Sequence, residues 1–230
     1  MVWDEKLEYQ VNSRKIEFEG YKGNRTSDPS PFANNDIIKS MLSYLGLPSI
    51  FPRELEADDI VAYICKTYPG NKVIISVDQD FLQLVDTETV LFDPIRKKEY
   101  THSAFEEMTG YTREQWLEAK CLQGDKSDNV PGIPGFGKVR TRKFLDGSQV
   151  LTEDQQVIFD TNRSLFSLDK VFELVDEVEY YQQQLDAPIT GDWDMFISEC
   201  EQRNFDRILN NRESWHTLFF LRDKLETFFS

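Results

Sequence analysis

The sequence GDKSDNVPGIPGFGK, residues 124–138, joins two aspartates to a glycine-rich loop that leads into a basic segment. The loop is close to a Walker A motif, but Val139 occupies the position that needs Ser or Thr, and no strand precedes it. We therefore reject an NTPase loop and favour a helical hairpin, because glycines let the backbone approach a DNA phosphate and the amides of the next helix bind it. An ordinary glycine cap before a basic helix is the alternative. The residues expected to contact DNA are Gly132, Gly135, Gly137, Lys138, Arg140, Arg142 and Lys143.

Three acidic clusters follow structural transitions: one where a loop enters a helix, one directly after an apolar strand, and one before the glycine loop. Their members are, in that order, Glu56, Asp58 and Asp59; Asp78 and Asp80; and Asp125 and Asp128. In an open α/β sheet, ligands bind at the carboxyl ends of the strands. Taken singly, the clusters also fit helix capping, a turn and a solvated loop.

Converging carboxylates raise one another's pKa values by repulsion, and divalent cations relieve that repulsion. Oxygen ligands without His or Cys indicate Mg²⁺ or Mn²⁺. Two such ions roughly 4 Å apart are an apparatus for phosphodiester hydrolysis. The three clusters together therefore predict a two-metal hydrolytic site.

The composition excludes several classes of protein. The chain has 230 residues, 40% of them hydrophobic and 13% aromatic, which argues against intrinsic disorder. It shows neither a membrane-length apolar run nor a signal-peptide pattern at its start. Three widely spaced cysteines exclude a disulfide scaffold and a structural zinc site, and they predict a cytoplasmic protein.

The net charge of −15 is unevenly distributed. Residues 153–230 hold 17 acidic and 7 basic residues, whereas residues 1–152 hold 24 and 19. Seven acids of the first part fall in the three tight clusters, which metal ions would neutralise. The overall acidity is therefore weak evidence against a nucleic-acid partner.

Alternating strands and helices predict an α/β fold with a mostly parallel central sheet flanked by helices. Strands are expected at 48–51, 72–77 and 89–92, and the second is expected to be buried because it is apolar and β-branched. Helices are expected at 37–45, 58–68, 103–110 and 112–123, followed by a helical, acidic C-terminal part.

A second basic segment is Tyr21-Lys22-Gly23-Asn24-Arg25. Its tyrosine ring would stack on a base, and its two basic side chains would hold a phosphate. A solvated turn is the alternative, and the segment alone would not decide between them.

These segments resemble the 5′-nucleases, a family comprising bacteriophage 5′→3′ exonucleases, flap endonucleases and the N-terminal nuclease domain of bacterial DNA polymerase I. The matching segments are YKGNR (21–25), EADDIVAYI (56–64), SVDQDFLQLV (76–85) and GDKSDNVPGIPGFGKVRTRKFL (124–145). They occur in the family's order and spacing. The resemblance implies a PIN-like nuclease core at 1–120 with an arch around 14–36, a helix-three-turn-helix at 121–150 and a C-terminal helical region at 151–230.

The resemblance also implies roles for individual residues. The implied metal ligands are Asp4, Glu56, Asp58, Asp59, Asp78, Asp80, Asp125 and Asp128. Tyr21, Lys22 and Arg25 would lie in the helical arch, where the lysine and the arginine engage the scissile phosphate. The implied cofactors are two Mg²⁺, for which Mn²⁺ substitutes, and K⁺ at the helix-three-turn-helix.

One family feature has no counterpart in these 230 residues. The family begins with a strand that carries a further metal-ligand Asp, well before the position of Asp4. We expect its absence to expose apolar sheet surface and to weaken the binding of one metal ion. A fragment or a DNA-binding protein without catalysis is therefore the alternative to an active enzyme.

The expected function is structure-selective 5′→3′ exonuclease or flap endonuclease activity in replication or repair. The expected substrates are branched or 5′-ended duplex DNA and the RNA of RNA–DNA hybrids, cleaved by a monomer. Apolar stripes in residues 165–175 and 205–219 are expected to pack on the core; docking of replication proteins is the alternative.

Overall fold

The computed structural model describes residues 1–3, 13–24, 34–53, 55–187 and 190–220. Its strands are β1 (Lys72–Ile75), β2 (Thr89–Asp93), β3 (Lys98–Tyr100), β4 (Gly124–Asp125) and β5 (Val130–Pro131). Its first helices are α1 (Ser13–Glu17), α2 (Asn35–Tyr44), α3 (Ala57–Thr67), α4 (Phe105–Thr109), α5 (Arg113–Gln123) and α6 (Lys138–Leu145). The remaining helices are α7 (Glu153–Phe166), α8 (Val175–Leu185), α9 (Trp193–Gln202), α10 (Asp206–Leu209) and α11 (Arg212–Phe220), and two 3₁₀ turns occupy Gln79–Leu84 and Lys170–Glu173.

The chain divides into two compact units. The larger comprises residues 4–26 and 52–178, and the smaller comprises residues 1–3, 27–51 and 179–230. In the smaller unit, α2 and α9 contribute a core of Met41, Leu45, Phe196 and Cys200. The strand expected at 48–51 is reduced there to a single parallel bridge between Ile50 and Val2.

The larger unit contains a three-stranded sheet in the order β1-β2-β3. The β1–β2 pair is parallel and the β2–β3 pair is antiparallel, so the α/β class is confirmed and the described part of the sheet is mixed. Side chains on one face of β1 and β2 pack against α3 and α5, in a core that includes Ile74, Leu91 and Trp116. The sheet therefore supports the segments that follow its strands.

The expectation that the 72–77 strand is buried is wrong for one of its faces. Val73 is 61% exposed and Ile75 is 69% exposed, whereas Ile74 between them is buried. Residues alternate between the faces of a strand, and α3 covers only the face that carries Ile74. β1 therefore has one buried face and one exposed apolar face.

Local capping explains why two of the predicted helices begin where they do. Glu56 and Asp59 form a reciprocal capping box at the start of α3, and Thr112 and Gln115 form one at the start of α5. Both helices carry an apolar face into the core, and α5 ends at Gly124, which has a φ of 72°. The two helices place acidic residues at the start of α3 and directly after α5.

No helix in the described residues is both long and apolar enough to cross a membrane. All three cysteines, Cys65, Cys121 and Cys200, are free thiols.

The turn that follows α5 depends on close approach of two glycines. Gly124 combines a φ of 72° with a ψ of −178°, a conformation that is almost confined to glycine. A Cβ added to Gly124 would lie 2.2 Å from the nitrogen of Gly132, and a Cβ on Gly132 would lie 2.3 Å from the oxygen of Gln123. Gly132 therefore has a packing role within the β4–β5 ribbon.

We expect Gly124→Ala to lower the free energy of unfolding by roughly 3 kcal/mol or more, because it adds backbone strain to a clash with main-chain atoms. Gly137→Ala is the matched control, since a Cβ there meets nothing within 4 Å. Its effect should stay below about 1 kcal/mol. Urea unfolding measures both, and equal stability of the two variants would contradict the proposed packing.

Candidate metal centre and phosphate-binding surface

Three carboxylates from two segments of the chain converge in the larger unit. Asp80 belongs to the 3₁₀ turn after β1, Asp125 ends β4, and Asp128 lies in the turn between β4 and β5. One carboxylate oxygen of each lies within 4.8 Å of those of the other two. Three hard oxygen donors from three positions fit Mg²⁺ or Mn²⁺ by donor type and by spacing.

The three carboxylates differ in their surroundings. Burial raises the pKa of Asp80 despite the neighbouring charge of Lys120. Burial would also raise the pKa of Asp125, but hydrogen bonds from Ser127 and the charge of Lys120 lower it to about 2. Asp128 is only 5% exposed. The cluster is thus partly withdrawn from water, and charges interact more strongly in such a partly buried site than they do in water.

A lysine that the sequence analysis missed contacts this cluster. The Nζ atom of Lys120, on α5, forms an ion pair with Asp80 and lies 2.9 Å from Asp125 Oδ2. These two charges raise the pKa of Lys120, although burial alone would lower it. Lys120 precedes Asp125 closely in the sequence, which is a signal for that pairing. Its other partner, Asp80, is 40 residues away and could not have been identified in this way.

The cluster Glu56, Asp58 and Asp59 is not arranged as an open metal site. Asp59 is fully buried and accepts two hydrogen bonds of 2.6 Å from the guanidinium of Arg14. Arg14 is 1% exposed and also donates to Glu56 at 3.0 Å. Two of the expected metal ligands therefore already share an internal cation, and their metal-binding role stays a prediction.

Arg14 was also missed, and it links three parts of the larger unit. It lies on α1 and donates to the carbonyl oxygens of Leu165 and Ser167 at the end of α7, at 2.8 and 3.0 Å. Burial would lower its pKa, but Asp59 and Glu56 raise it. Nothing in the polar sequence of α1 distinguishes this arginine from a solvated one.

The segment around Tyr21 packs against Glu56. The Tyr21 hydroxyl donates to Glu56 Oε2 at 3.0 Å, and Lys22 Nζ donates to Glu56 Oε1 at 2.6 Å. The Tyr21 ring is 3% exposed and belongs to the core. The expectation that it stacks on a base is therefore not supported, because the buried ring offers no face to a ligand.

The same segment is hydrogen-bonded to the loop that carries Asp128. Lys22 N donates to the oxygen of Asp128 at 2.8 Å, and Asn129 Nδ2 donates to the oxygen of Gly20 at 2.8 Å. Asn24 Nδ2 donates to the oxygen of Lys126 at 3.0 Å. The predicted phosphate-binding lysine and the predicted metal ligand are thus held together by backbone contacts.

Asp58 and Asp78 lie near these groups without joining the three-carboxylate cluster. Burial raises the pKa of Asp58 to about 7, and the charges of Asp78, Glu56 and Asp80 raise it further against the opposing charge of Lys22. Asp78 is exposed and its side chain accepts from Asp80 N at 2.9 Å. Both carboxylates remain candidate ligands.

The raised pKa of Asp58 predicts a pH dependence. Between the ordinary value of 3.8 and about 7, the folded protein keeps a proton that the unfolded chain releases. The metal-free protein therefore loses stability as the pH rises through that window. We expect Asp58→Asn to stabilise it by about 2 kcal/mol at pH 8 and to have little effect at pH 4.

Urea unfolding in EDTA at the two pH values checks this expectation. Asp160→Asn on α7 is a control, because Asp160 is exposed and lies outside the acidic cluster. A variant at Asp58 that is no more stable than the wild type at pH 8 would contradict the assigned burial.

The glycine loop and α6 form an exposed basic surface. Gly137 caps α6 and has no Cβ obstruction, and Gly135 has a φ of 83°. The guanidinium of Arg140 lies over the Phe136 ring, and that of Arg142 donates to the oxygen of Gly110 at 3.0 Å. The exposed basic side chains are Lys138, Arg140, Arg142 and Lys143, and their contact with DNA stays a prediction.

Two predicted site residues, Asp4 and Arg25, lie outside the described residues. The structure thus brings together Asp80, Asp125 and Asp128, with Lys22 bonded to the loop of Asp128. Glu56 and Asp59 lie next to Lys22 and Arg14 instead.

Parts of this chain are similar to two curated bacterial proteins. DNA polymerase I of Mycobacterium bovis is 38% identical over 134 residues, which cover 54% of this chain and 15% of that protein. The flap endonuclease Xni of Shewanella woodyi is 33% identical over 149 residues, which cover 63% of this chain and 58% of that protein. The chain thus spans less than two thirds of the length of either relative.

A solved bacteriophage T5 flap endonuclease, in a complex with DNA and metal ions, shares the fold with a TM-score of 0.58. It is 19% identical and the match covers 84% of this chain and 80% of that one. The family model described as 5′-3′ exonuclease, N-terminal resolvase-like domain, matches residues 1–110. Over these residues, just under half of the chain, the sequence matches the 5′-3′ exonuclease family, which confirms the resemblance noted from the motifs.

Proposed function

We propose that this chain acts in a metal-dependent 5′-nuclease that hydrolyses phosphodiester bonds of DNA. The observation that carries the proposal is the convergence of Asp80, Asp125 and Asp128, whose loop is bonded to the segment of Lys22. The aspartates would supply oxygen ligands for a cation, and Lys22, whose ammonium is paired with Glu56 in this structure, would supply a positive side chain for a phosphate.

Each group has a distinct proposed role. The three aspartates would hold Mg²⁺ or Mn²⁺, with Asp58 and Asp78 available to a second ion. A divalent cation bound there supplies an activated water and stabilises charge on the phosphoryl oxygens. Lys22 and Arg25 would orient the scissile phosphate, since a positioned cation holds the reacting group in line for attack.

The exposed basic surface would bind the duplex part of the substrate at a distance from the scissile phosphate. Lys138 and Lys143, with the two arginines between them, offer charge that does not depend on base sequence. The amide groups at the start of α6 would bind one phosphate, because α6 follows a glycine that leaves the backbone accessible. K⁺ binding at this hairpin is part of the same proposal.

The relatives guide the choice of substrate. A flap endonuclease and DNA polymerase I share sequence with this chain, and the T5 structure contains DNA. We therefore propose branched or 5′-ended duplex DNA as the substrate, with RNA–DNA hybrids as a second one, and a role in replication or repair. A monomer suffices for this chemistry, because the three aspartates come from one chain.

Cleavage of a 5′-labelled flap duplex tests the proposal, with Mg²⁺ in one arm, EDTA in the second and a gel-shift assay in Ca²⁺ as the third. Metal-dependent release of short 5′ products is the expected result. Binding in Ca²⁺ without cleavage in Mg²⁺ would replace it with a DNA-binding role. Failure of both assays would overturn it.

A further inference from the structure

The side chain of Lys120 lies within the acidic cluster that is the proposed binding site for a divalent cation. Its side chain is 10% exposed, and its Nζ atom contacts Asp80 and Asp125, two of the three converging carboxylates. The ammonium also lies 4.6 Å from the centroid of the Phe166 ring. Three neighbours thus hold this charge at the cluster.

The contacts made by Lys120 overlap those that a metal ion would make. A lysine ammonium has three donors and no acceptor, so it pairs with carboxylate oxygens but contributes no metal ligand. A divalent ion on Asp80 and Asp125 would lie within a few ångströms of the ammonium, and like charges at such a distance repel strongly. Both cations therefore cannot hold the same carboxylates at full strength.

We infer that Lys120 is an internal cation that compensates the acidic cluster in the metal-free protein and withdraws when a divalent ion binds. This inference rests on the proposed metal site and adds that Lys120 limits the affinity of that site. The released ammonium remains tethered beside the cluster by α5, where it is available to a substrate phosphate. Lys120 thus acts on metal binding through Asp80 and Asp125 and is not itself a metal ligand.

The neighbouring loop supplies a matched control. Lys126 lies between Asp125 and Asp128 in sequence, but its side chain is exposed. Replacing either lysine by methionine removes one positive charge from the same region. If Lys120 competes with the metal at the cluster, only its replacement should tighten metal binding. If net charge alone matters, both replacements should tighten it.

Titration with Mn²⁺, followed by electron paramagnetic resonance of the free ion, tests the inference without a nuclease assay. We expect Lys120→Met to bind Mn²⁺ about tenfold more tightly than the wild type, and Lys126→Met to stay within about threefold. Lys120→Arg keeps the competing charge and should bind no more tightly than the wild type. Thermal unfolding should show that Lys120→Met is less stable than the wild type in EDTA, and that replacing the EDTA with Mn²⁺ restores its stability.

The outcomes separate this inference from the proposed function. Mn²⁺ binding by the wild type with equal or weaker binding by Lys120→Met would overturn the internal-cation role and leave the metal site intact. Tighter binding by both methionine variants would reduce the effect to net charge and would overturn it as well. Absence of Mn²⁺ binding in every variant would overturn the metal site and this inference together.

Discussion

Asp128→Asn is expected to reduce metal-dependent cleavage of a flap duplex by roughly 10³-fold, because the site would lose one of its three anionic oxygens. A bound metal contributes several kcal/mol of charge stabilisation to a phosphoryl transition state, and each 1.36 kcal/mol corresponds to a factor of ten. The amide keeps the size of the carboxylate, so the loop should keep its bonds to Lys22 and Gly20. Single-turnover cleavage with excess enzyme measures the change.

The control for this variant is Asp160→Asn, which removes an exposed carboxylate from α7 and should leave the rate within about twofold of the wild type. Gel shift in Ca²⁺ should show that the Asp128 variant still binds the duplex through the basic surface. Cleavage by Asp128→Asn at the rate of the wild type would show that the three-aspartate cluster is not the metal site.

The fold was predictable where local chemistry and periodicity agree. The helix expected at 58–68 is observed as α3, Ala57–Thr67, because an acidic cap precedes an amphipathic run. β3 was missed because its three residues, Lys98–Tyr100, show no apolar alternation and depend on pairing with β2. The exposure of Val73 and Ile75 was missed because an apolar run cannot reveal whether one or both faces of a strand are covered.

The candidate site was predictable in part for a similar reason. The topological rule for strand ends predicted that the acids after β1 would meet those of another segment, and Asp80 does lie beside Asp125 and Asp128. The pairing of Arg14 and Lys120 with acids 40 or more residues away depends on tertiary packing, which a sequence pattern does not encode. Sequence reasoning therefore found the anions and Lys22, but it missed the two other cations, Arg14 and Lys120, that compensate them.

Arg14→Met is expected to lower the free energy of unfolding by about 3–5 kcal/mol, the largest stability effect that we expect of any single charge among the residues that the structure describes. The change leaves the buried Asp59 carboxylate without its bidentate partner, and it removes the donors to the oxygens of Leu165 and Ser167. Unpaired buried charges and carbonyl groups account for most of this cost. Urea unfolding monitored by circular dichroism measures it.

Two further variants distinguish the buried charge from the loss of packing. Lys15→Met changes the exposed neighbour of Arg14 on α1 and should alter stability by less than about 0.5 kcal/mol. Asp59→Asn added to Arg14→Met removes the orphaned charge while its amide oxygen can still cap α3, so it should recover about half of the lost stability. A double variant as unstable as Arg14→Met alone would mean that the guanidinium stabilises the fold through its carbonyl contacts and not through Asp59. The α1–α7 contact, rather than the pairing with Asp59, would then be the reason why this arginine is buried.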